Sequence, residues 1–286
     1  MLELFRPSTP LPQLINGSLG FYVEDDTIHR HYPPSMEFPL DLQHFNQFPE
    51  FEIPFNVSAC RYLYLDLGTN QGRQLRKLYY GIARRAKWSK LFAMFFHRSP
   101  SWRRRHVCAI GAEPDPNHTP ALVELQADLI RRNISAHILR NPIWVNNDVL
   151  TFHSIYDPNN THDASTLSST NYTVYDHVTK KRTSDVNVTK MQLRGFRLAT
   201  LLSQLDPDAT VLMKLDIEGA EHRVIADLVL GGTICRVNVF GVESHPHLMA
   251  DDVHVFSNPK QLNWYLKEYA GSRCNKTWVR TVDDEL

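Results

Sequence analysis

The stretch Tyr62–Gly72, YLYLDLGTNQG, constrains the fold of this chain more than any other. Its first four residues alternate aromatic and aliphatic side chains, the make-up of a strand buried in the middle of a sheet. Asp66 stands where that strand would end. Gly68 and Gly72 bracket a tight turn, and a helical pattern with Leu75, Leu78, Tyr79 and Ile82 follows at once. Strand, acid, glycine turn and helix form a cradle. Glycine lets backbone approach a ligand closely, and the first turn of a helix presents unpaired N–H groups. The spacing is G-x-x-x-G, unlike the G-x-G-x-x-G of dinucleotide enzymes, and no P-loop Lys-Ser/Thr follows. A nicotinamide cofactor is therefore disfavoured, and a pyrophosphate or triphosphate is not required.

The same layout recurs along the chain. HVCAIGA, 106–112, reads as a second buried strand and ends in Glu113-Pro114-Asp115-Pro116. Thr119 as N-cap with Pro120 in the first turn predicts a helix to about Arg132. Further strands are expected within 134–145, 148–153, 186–193, 210–217, 236–242 and 277–282, and helices at 196–205 and 259–271. Strands alternating with helices predict an α/β fold with a mainly parallel central sheet and helices on both faces. In such sheets ligands sit outside the carboxyl ends of the strands. Asp66, Glu113, Asp216 and Glu243 all fall at such ends, with Glu218 and His245 close by. Acids are rarely buried without partners, so four successive strands ending in acids point to a shared ligand, cationic and ribose-containing. Glu113 suits a ribose diol, because two carboxylate oxygens accept from two adjacent hydroxyls.

Residues 1–59, rich in Pro, Phe and His, read as an irregular arm packed on the core, and 60–286 as the α/β domain. Within it, 73–105 holds eleven Lys/Arg and no Asp or Glu, interleaved with Trp88, Leu91, Phe92, Met94, Phe95 and Phe96. Such a segment serves either as a peripheral membrane or anionic-ligand contact, or as a solvated helix face whose apolar side joins the core. The balance of 31 basic and 31 acidic residues and the lack of any reader motif argue against nucleic acid. The polar stretch 156–185 reads as a long loop serving as a lid or acceptor-recognition segment.

The four cysteines, Cys60, Cys108, Cys235 and Cys274, lack CxxC spacing, which argues against structural zinc. Buried free thiols are the plainer reading, and two disulfides are the alternative in an oxidising compartment. N-x-S/T sequons occur at Asn16, Asn56, Asn117, Asn133, Asn159, Asn171, Asn187 and Asn275, where chance gives roughly two. The terminus Asp283-Asp284-Glu285-Leu286 is similar to retention signals of the endoplasmic reticulum. Both features suggest a glycoprotein of the secretory lumen. The cytoplasm is the alternative, because the first residues lack a signal-peptide layout.

DLGTNQG, AEPDP, LKLDIEGAE and VESH, in this order across about residues 60–245, resemble the FkbM family of S-adenosylmethionine-dependent methyltransferases. LKLDIEGAE is the most specific piece. The resemblance implies a class I Rossmann-like fold and transfer of a methyl group, usually to a hydroxyl oxygen, with S-adenosyl-L-methionine as cofactor. Carried over, Asp66, Gly68, Thr69, Asn70 and Gly72 line the methionine and sugar side of the cofactor. Glu113 holds the ribose hydroxyls, and Asp115, Asp148 and Asp216 complete the contacts. Ala112 and Asp115 stand where the family commonly has Phe and Asn.

An in-line attack on a sulfonium methyl needs an aligned acceptor and a group that takes one proton. Glu243 and His245 are the candidate bases, and Asp216 or Glu218 the groups that orient them. No metal site is assigned, although a divalent cation among Asp216, Glu218 and Glu243 is compatible with the residue types. The expected acceptor is a small molecule or glycan bearing a hydroxyl. The alternatives are N-methylation of an amine and a non-catalytic binding module using 73–105.

Overall fold

The computed structural model describes residues 53–156, 187–243 and 245, together with 167, 174–176, 181–183, 266, 274 and 278–281. Strand β1 (Tyr62–Leu67) is buried almost throughout. Its Leu63, Leu65 and Leu67 enter one apolar cluster, whereas Tyr64, with Tyr62 packed at the edge, enters another. Period-two alternation feeds two cores only from a strand in mid-sheet, covered on both faces. β1 indeed lies between β2 (Cys108–Ala112) and β10 (Thr210–Leu215), parallel to both. β3 (Ala136–Leu139), β11 (Val239–Val242) and β12 (Trp278–Thr281) complete a six-stranded parallel sheet of order β12-β11-β10-β1-β2-β3.

The helices segregate as the alternation requires. The Tyr64 face is covered by α1 (Arg73–Tyr80), α2 (Lys87–Phe95), α3 (Pro100–His106) and α4 (Thr119–Arg131). The leucine face is covered by α5 (Leu198–Ser203) and α6 (Glu221–Leu230), through Leu198, Leu201, Leu202, Val224, Ile225 and Leu228. This is the Rossmann-like α/β architecture that the sequence predicts.

The basic segment 73–105 forms three short helices, and most of its apolar stripe turns inward while Met94 stays exposed. Trp88, Leu91, Phe92 and Phe96 are buried, with Tyr64 and Phe92 meeting edge to face at 4.8 Å. Arg103 is also buried, and its guanidinium donates to the carbonyls of Leu78 and His97. The exposed face carries Arg84, Arg85, Lys87, Lys90, Arg98 and Arg105.

Several expectations are corrected. His118, not Thr119, caps α4, and Thr119 is its first residue. The expected strand at 148–153 is β5 (Val149–Tyr156), and it pairs antiparallel with β8 (Asn187–Arg194) as a separate ribbon. β4 (Ile143–Trp144) pairs with β9 (Phe196–Arg197) in a second small sheet. The polar stretch 156–185 contains an antiparallel pair, β6 (Val174–Asp176) with β7 (Lys181–Thr183). The expected arm 1–59 and helix 259–271 lie outside the described residues, except for 53–59 and the helical Leu266.

All four cysteines are in disulfides, Cys60–Cys108 and Cys235–Cys274, which overturns their reading as free thiols. Parallel pairing of β1 with β2 sets Leu63 beside Cys108, and this brings Cys60 within 6.0 Å of Cys108, Cα to Cα. Spacing along the chain carries no sign of that register.

Candidate active site at the carboxyl edge of the sheet

β1, β2 and β10 are locked together where they end. The N–H groups of Gly68 and Thr69 both donate to the carbonyl of Ala112, at 3.0 and 3.1 Å. The Thr69 hydroxyl donates to the Asp66 carbonyl at 2.6 Å and accepts from the Ala112 N–H at 2.9 Å. Gly68 has φ +83°, and a Cβ there would fall 1.6 Å from the Asp216 carbonyl oxygen. Only glycine lets the turn pass so close to the end of β10. Gly72 answers a different need, because a Cβ there would fall 2.3 Å from Leu125 of α4. It permits helix packing and does not line the cleft described next.

A cleft opens over this edge, between Gly68, Asn70, Glu113 and Asp115 on one side and Asp216 and Glu218 on the other. It lies where the strand order reverses between β1 and β10, the usual ligand position in an open parallel sheet. Glu113 is fixed from two directions. Its Oε2 accepts from the Asn70 N–H at 2.8 Å and its Oε1 from the Asp115 N–H at 3.0 Å. Burial pushes its carboxyl above the ordinary range, against the opposing pull of His118. Each oxygen keeps a lone pair for a ligand hydroxyl. Asp115 is held in turn, its Oδ1 accepting from Asn117 N–H and the Ser154 hydroxyl, both at 2.9 Å.

Asp66 has no exposed surface and does not line the cleft. Its Oδ1 accepts from the Tyr64 hydroxyl at 3.1 Å, and its Oδ2 has no hydrogen-bond partner among the described residues. Burial drives its pKa from 3.8 up to about 7, against the nearby charge of Lys214. The stability this group contributes is therefore present below about pH 4 and lost as pH rises through about 7. At 1.36 kcal/mol per pH unit, that interval is on the order of 4 kcal/mol. Asp66→Asn is expected to match the parent near pH 4 and to exceed its stability by up to about 4 kcal/mol at pH 8. Urea unfolding at the two pH values checks it, and an equal difference at both would contradict it.

A second cluster adjoins the cleft. Lys214 and Asp66 face each other across β1 and β10, and the Lys214 ammonium donates to Asp216 Oδ2 at 2.6 Å. Glu218 follows in the left-handed region at φ +52°, before Gly219 and α6. Glu221 opens α6 fully buried, and accepts from the N–H groups of Ile217 and Gly219 at 2.9 and 3.0 Å. His245, beyond β11, sets Nδ1 3.1 Å from Glu221 Oε1, and its Nε2 lies 3.8 Å from Glu218 and 3.9 Å from Glu243. Burial disfavours charge on the imidazole, but the Glu221 hydrogen bond and the Glu218, Glu221 and Asp216 carboxylates outweigh it, raising its pKa to about 10.

The structure thus brings Asp216, Glu218, Glu243 and His245 together, and gathers Gly68, Asn70, Glu113, Asp115 and Asp216 at one cleft. It leaves Asp148 apart. That residue is exposed, bonded to the Asn146 side chain, and absent from the cleft lining, because the strand it precedes belongs to the β5–β8 ribbon. Sequence reasoning passed over Glu221, whose charge at a helix start resembles ordinary dipole compensation. It also passed over Ile143 and Phe152, which line the cleft as unremarkable apolar residues.

Against known proteins, the family model described as Methyltransferase FkbM domain matches residues 66–269. That span takes in the turn, both acid clusters and every strand of the parallel sheet from β2 to β11. No curated protein and no solved structure gives a match. A match over more than half of the chain, laid on a cleft at the switch point of a parallel sheet, places this protein in the FkbM methyltransferase family.

Proposed function

We propose that the chain transfers a methyl group from S-adenosylmethionine to a hydroxyl of a sugar, glycan or other small acceptor. The observation that carries this reading is Glu113, aimed at the cleft by two backbone N–H groups with lone pairs to spare. The residues present fit the cofactor. Glu113 would accept from the ribose hydroxyls, and the Gly68–Asn70 backbone would pass beside the methionyl chain. The buried Asp66 Oδ2, without a hydrogen-bond partner among the described residues, leaves an acceptor to spare beside the turn. When bound, S-adenosylmethionine supplies an electrophilic methyl on a sulfonium sulfur.

Asp216 and Glu218 are the carboxylates of the second cluster that reach the cleft, whereas Glu243 and His245 do not line it. Glu218 would therefore take the acceptor proton, and Asp216, braced by Lys214, would align the acceptor. The same carboxylates also suit an ammonium, which makes N-methylation of an amino sugar the second reading. Calorimetry with S-adenosylhomocysteine, beside transfer of labelled methyl to alcohol and amine panels, tests both. Binding with label on alcohols is expected; label confined to amines selects the second reading, and no binding at all removes both.

We infer further that the protein works in an oxidising, glycosylating compartment. The two disulfides support this, as do the sequon residues Asn56 and Asn133, both exposed. The Cys60–Cys108 bond closes a loop with a sequence separation of 48, for which chain entropy gives on the order of 4 kcal/mol. Protein from a secretory host is expected to lose mass with an N-glycosidase and to lose roughly that stability with reductant. Unchanged mass and an unchanged midpoint would oppose the inference.

A further inference from the structure

The side chains of Asp216, Glu218 and His245 are arranged as ligands of a cation. One ligand atom from each lies within 4.8 Å of the others. They converge from three places: the end of β10, the left-handed turn before α6, and the segment after β11. His245 Nδ1 faces Glu221 Oε1, a buried carboxylate itself fixed by two backbone N–H groups. A carboxylate on one imidazole nitrogen orients the ring and leaves the other nitrogen to coordinate. That other nitrogen, Nε2, is 3.8 Å from Glu218 Oε2 and 3.9 Å from Glu243 Oε1. Such gaps exceed a hydrogen bond. They do match the spacing of two ligands on one ion, roughly 3.0–4.2 Å for bonds near 2.1 Å.

A second observation comes from Asp216, which is only 6 % exposed. Lys214 occupies its Oδ2, yet its buried Oδ1 has no hydrogen-bond partner among the described residues and lies 3.8 Å from His245 Nδ1, the ring nitrogen that also faces Glu221. Four carboxylates (Asp216, Glu218, Glu221 and Glu243) thus stand against Lys214 and one imidazole, whose proton a bound ion would displace.

We propose that Asp216, Glu218 and His245, with Glu243 at the rim, bind one divalent cation of the Mn²⁺ or Mg²⁺ class beside the cleft. Carboxylate oxygens with one imidazole favour such hard or borderline ions over thiophilic ones. Glu218 and Asp216 line the cleft, so an acceptor oxygen there can share the ion. A shared ion lowers the pKa of that hydroxyl, the task otherwise left to Glu218 alone. Only this last role rests on the methyl-transfer reading; the binding of the ion does not.

The test is Mn²⁺ titration of the oxidised full chain without cofactor, read by the electron-spin signal of free Mn²⁺, with Mg²⁺ as competitor. One site per chain is expected, with a dissociation constant on the order of 1–100 μM. Glu218→Gln and His245→Ala are each expected to weaken it at least tenfold, while circular dichroism reports an unchanged fold. No binding, or binding unaffected by both substitutions, would overturn the proposal. S-adenosylhomocysteine calorimetry on the same sample separates the outcomes. Cofactor binding without Mn²⁺ binding sinks the cation alone, and Mn²⁺ binding without cofactor binding sinks the methyl-transfer reading alone.

Discussion

Glu113→Ala is expected to weaken S-adenosylhomocysteine binding by at least about 100-fold, leaving a folded protein. Hydrogen bonds to a charged group contribute roughly 1.5–3 kcal/mol each, and two to the ribose diol would give on the order of 3–6 kcal/mol. The substitution also frees the Asn70 and Asp115 N–H groups that now point at the carboxylate. Cofactor affinity would thus fall both by lost contacts and by a loosened cradle. Glu113→Gln keeps the shape but turns an N–H₂ towards one of those donors, so a smaller loss is expected. Titration calorimetry of both variants reads the difference. Full-strength binding by Glu113→Ala would remove the ribose assignment.

Gly68→Ala carries the largest expected cost in stability. At φ +83° a side chain strains the backbone by roughly 1–2 kcal/mol. The larger penalty is steric, since the methyl would lie 1.6 Å from the Asp216 carbonyl oxygen. Neither partner is a flexible side chain that can swing away; both belong to the central strand ends. A loss beyond about 4 kcal/mol is expected, in the range reserved for a broken core or backbone. Gly232→Ala is the control. Its φ is +69°, but nothing lies within 4 Å of the added methyl, so only the strain of about 1 kcal/mol applies. Urea midpoints of the two variants separate crowding from backbone strain. Equal losses would show that the close approach of turn and strand costs little.

The parallel sheet was legible because Tyr62–Leu67 and Thr210–Leu215 are near-continuous apolar runs, the mark of strands covered on both faces. The acids at strand ends were legible because their burial demands a partner. What failed was whatever depends on register or on the neighbour of a strand. Asp148 precedes a strand just as Asp66 ends one, and nothing in the local sequence says that β5 pairs with β8 outside the main sheet. The partner of Cys60 is set by pairing with a strand 48 residues away. Gly72 packs against Leu125, a tertiary neighbour that no local pattern reveals. Glu221 looks locally like any acid at a helix start, since the two N–H groups and the imidazole that surround it come from segments on either side.

The β5–β8 ribbon has an evolutionary consequence. Phe152 reaches the cleft from that ribbon and Ser154 holds Asp115 at its edge, whereas the floor under the proposed nucleoside belongs to the parallel strands. Selection can therefore reshape the wall that meets an incoming acceptor without disturbing the floor. A graft of 149–194 from one relative into another is expected to carry over acceptor preference while nucleoside affinity stays that of the host.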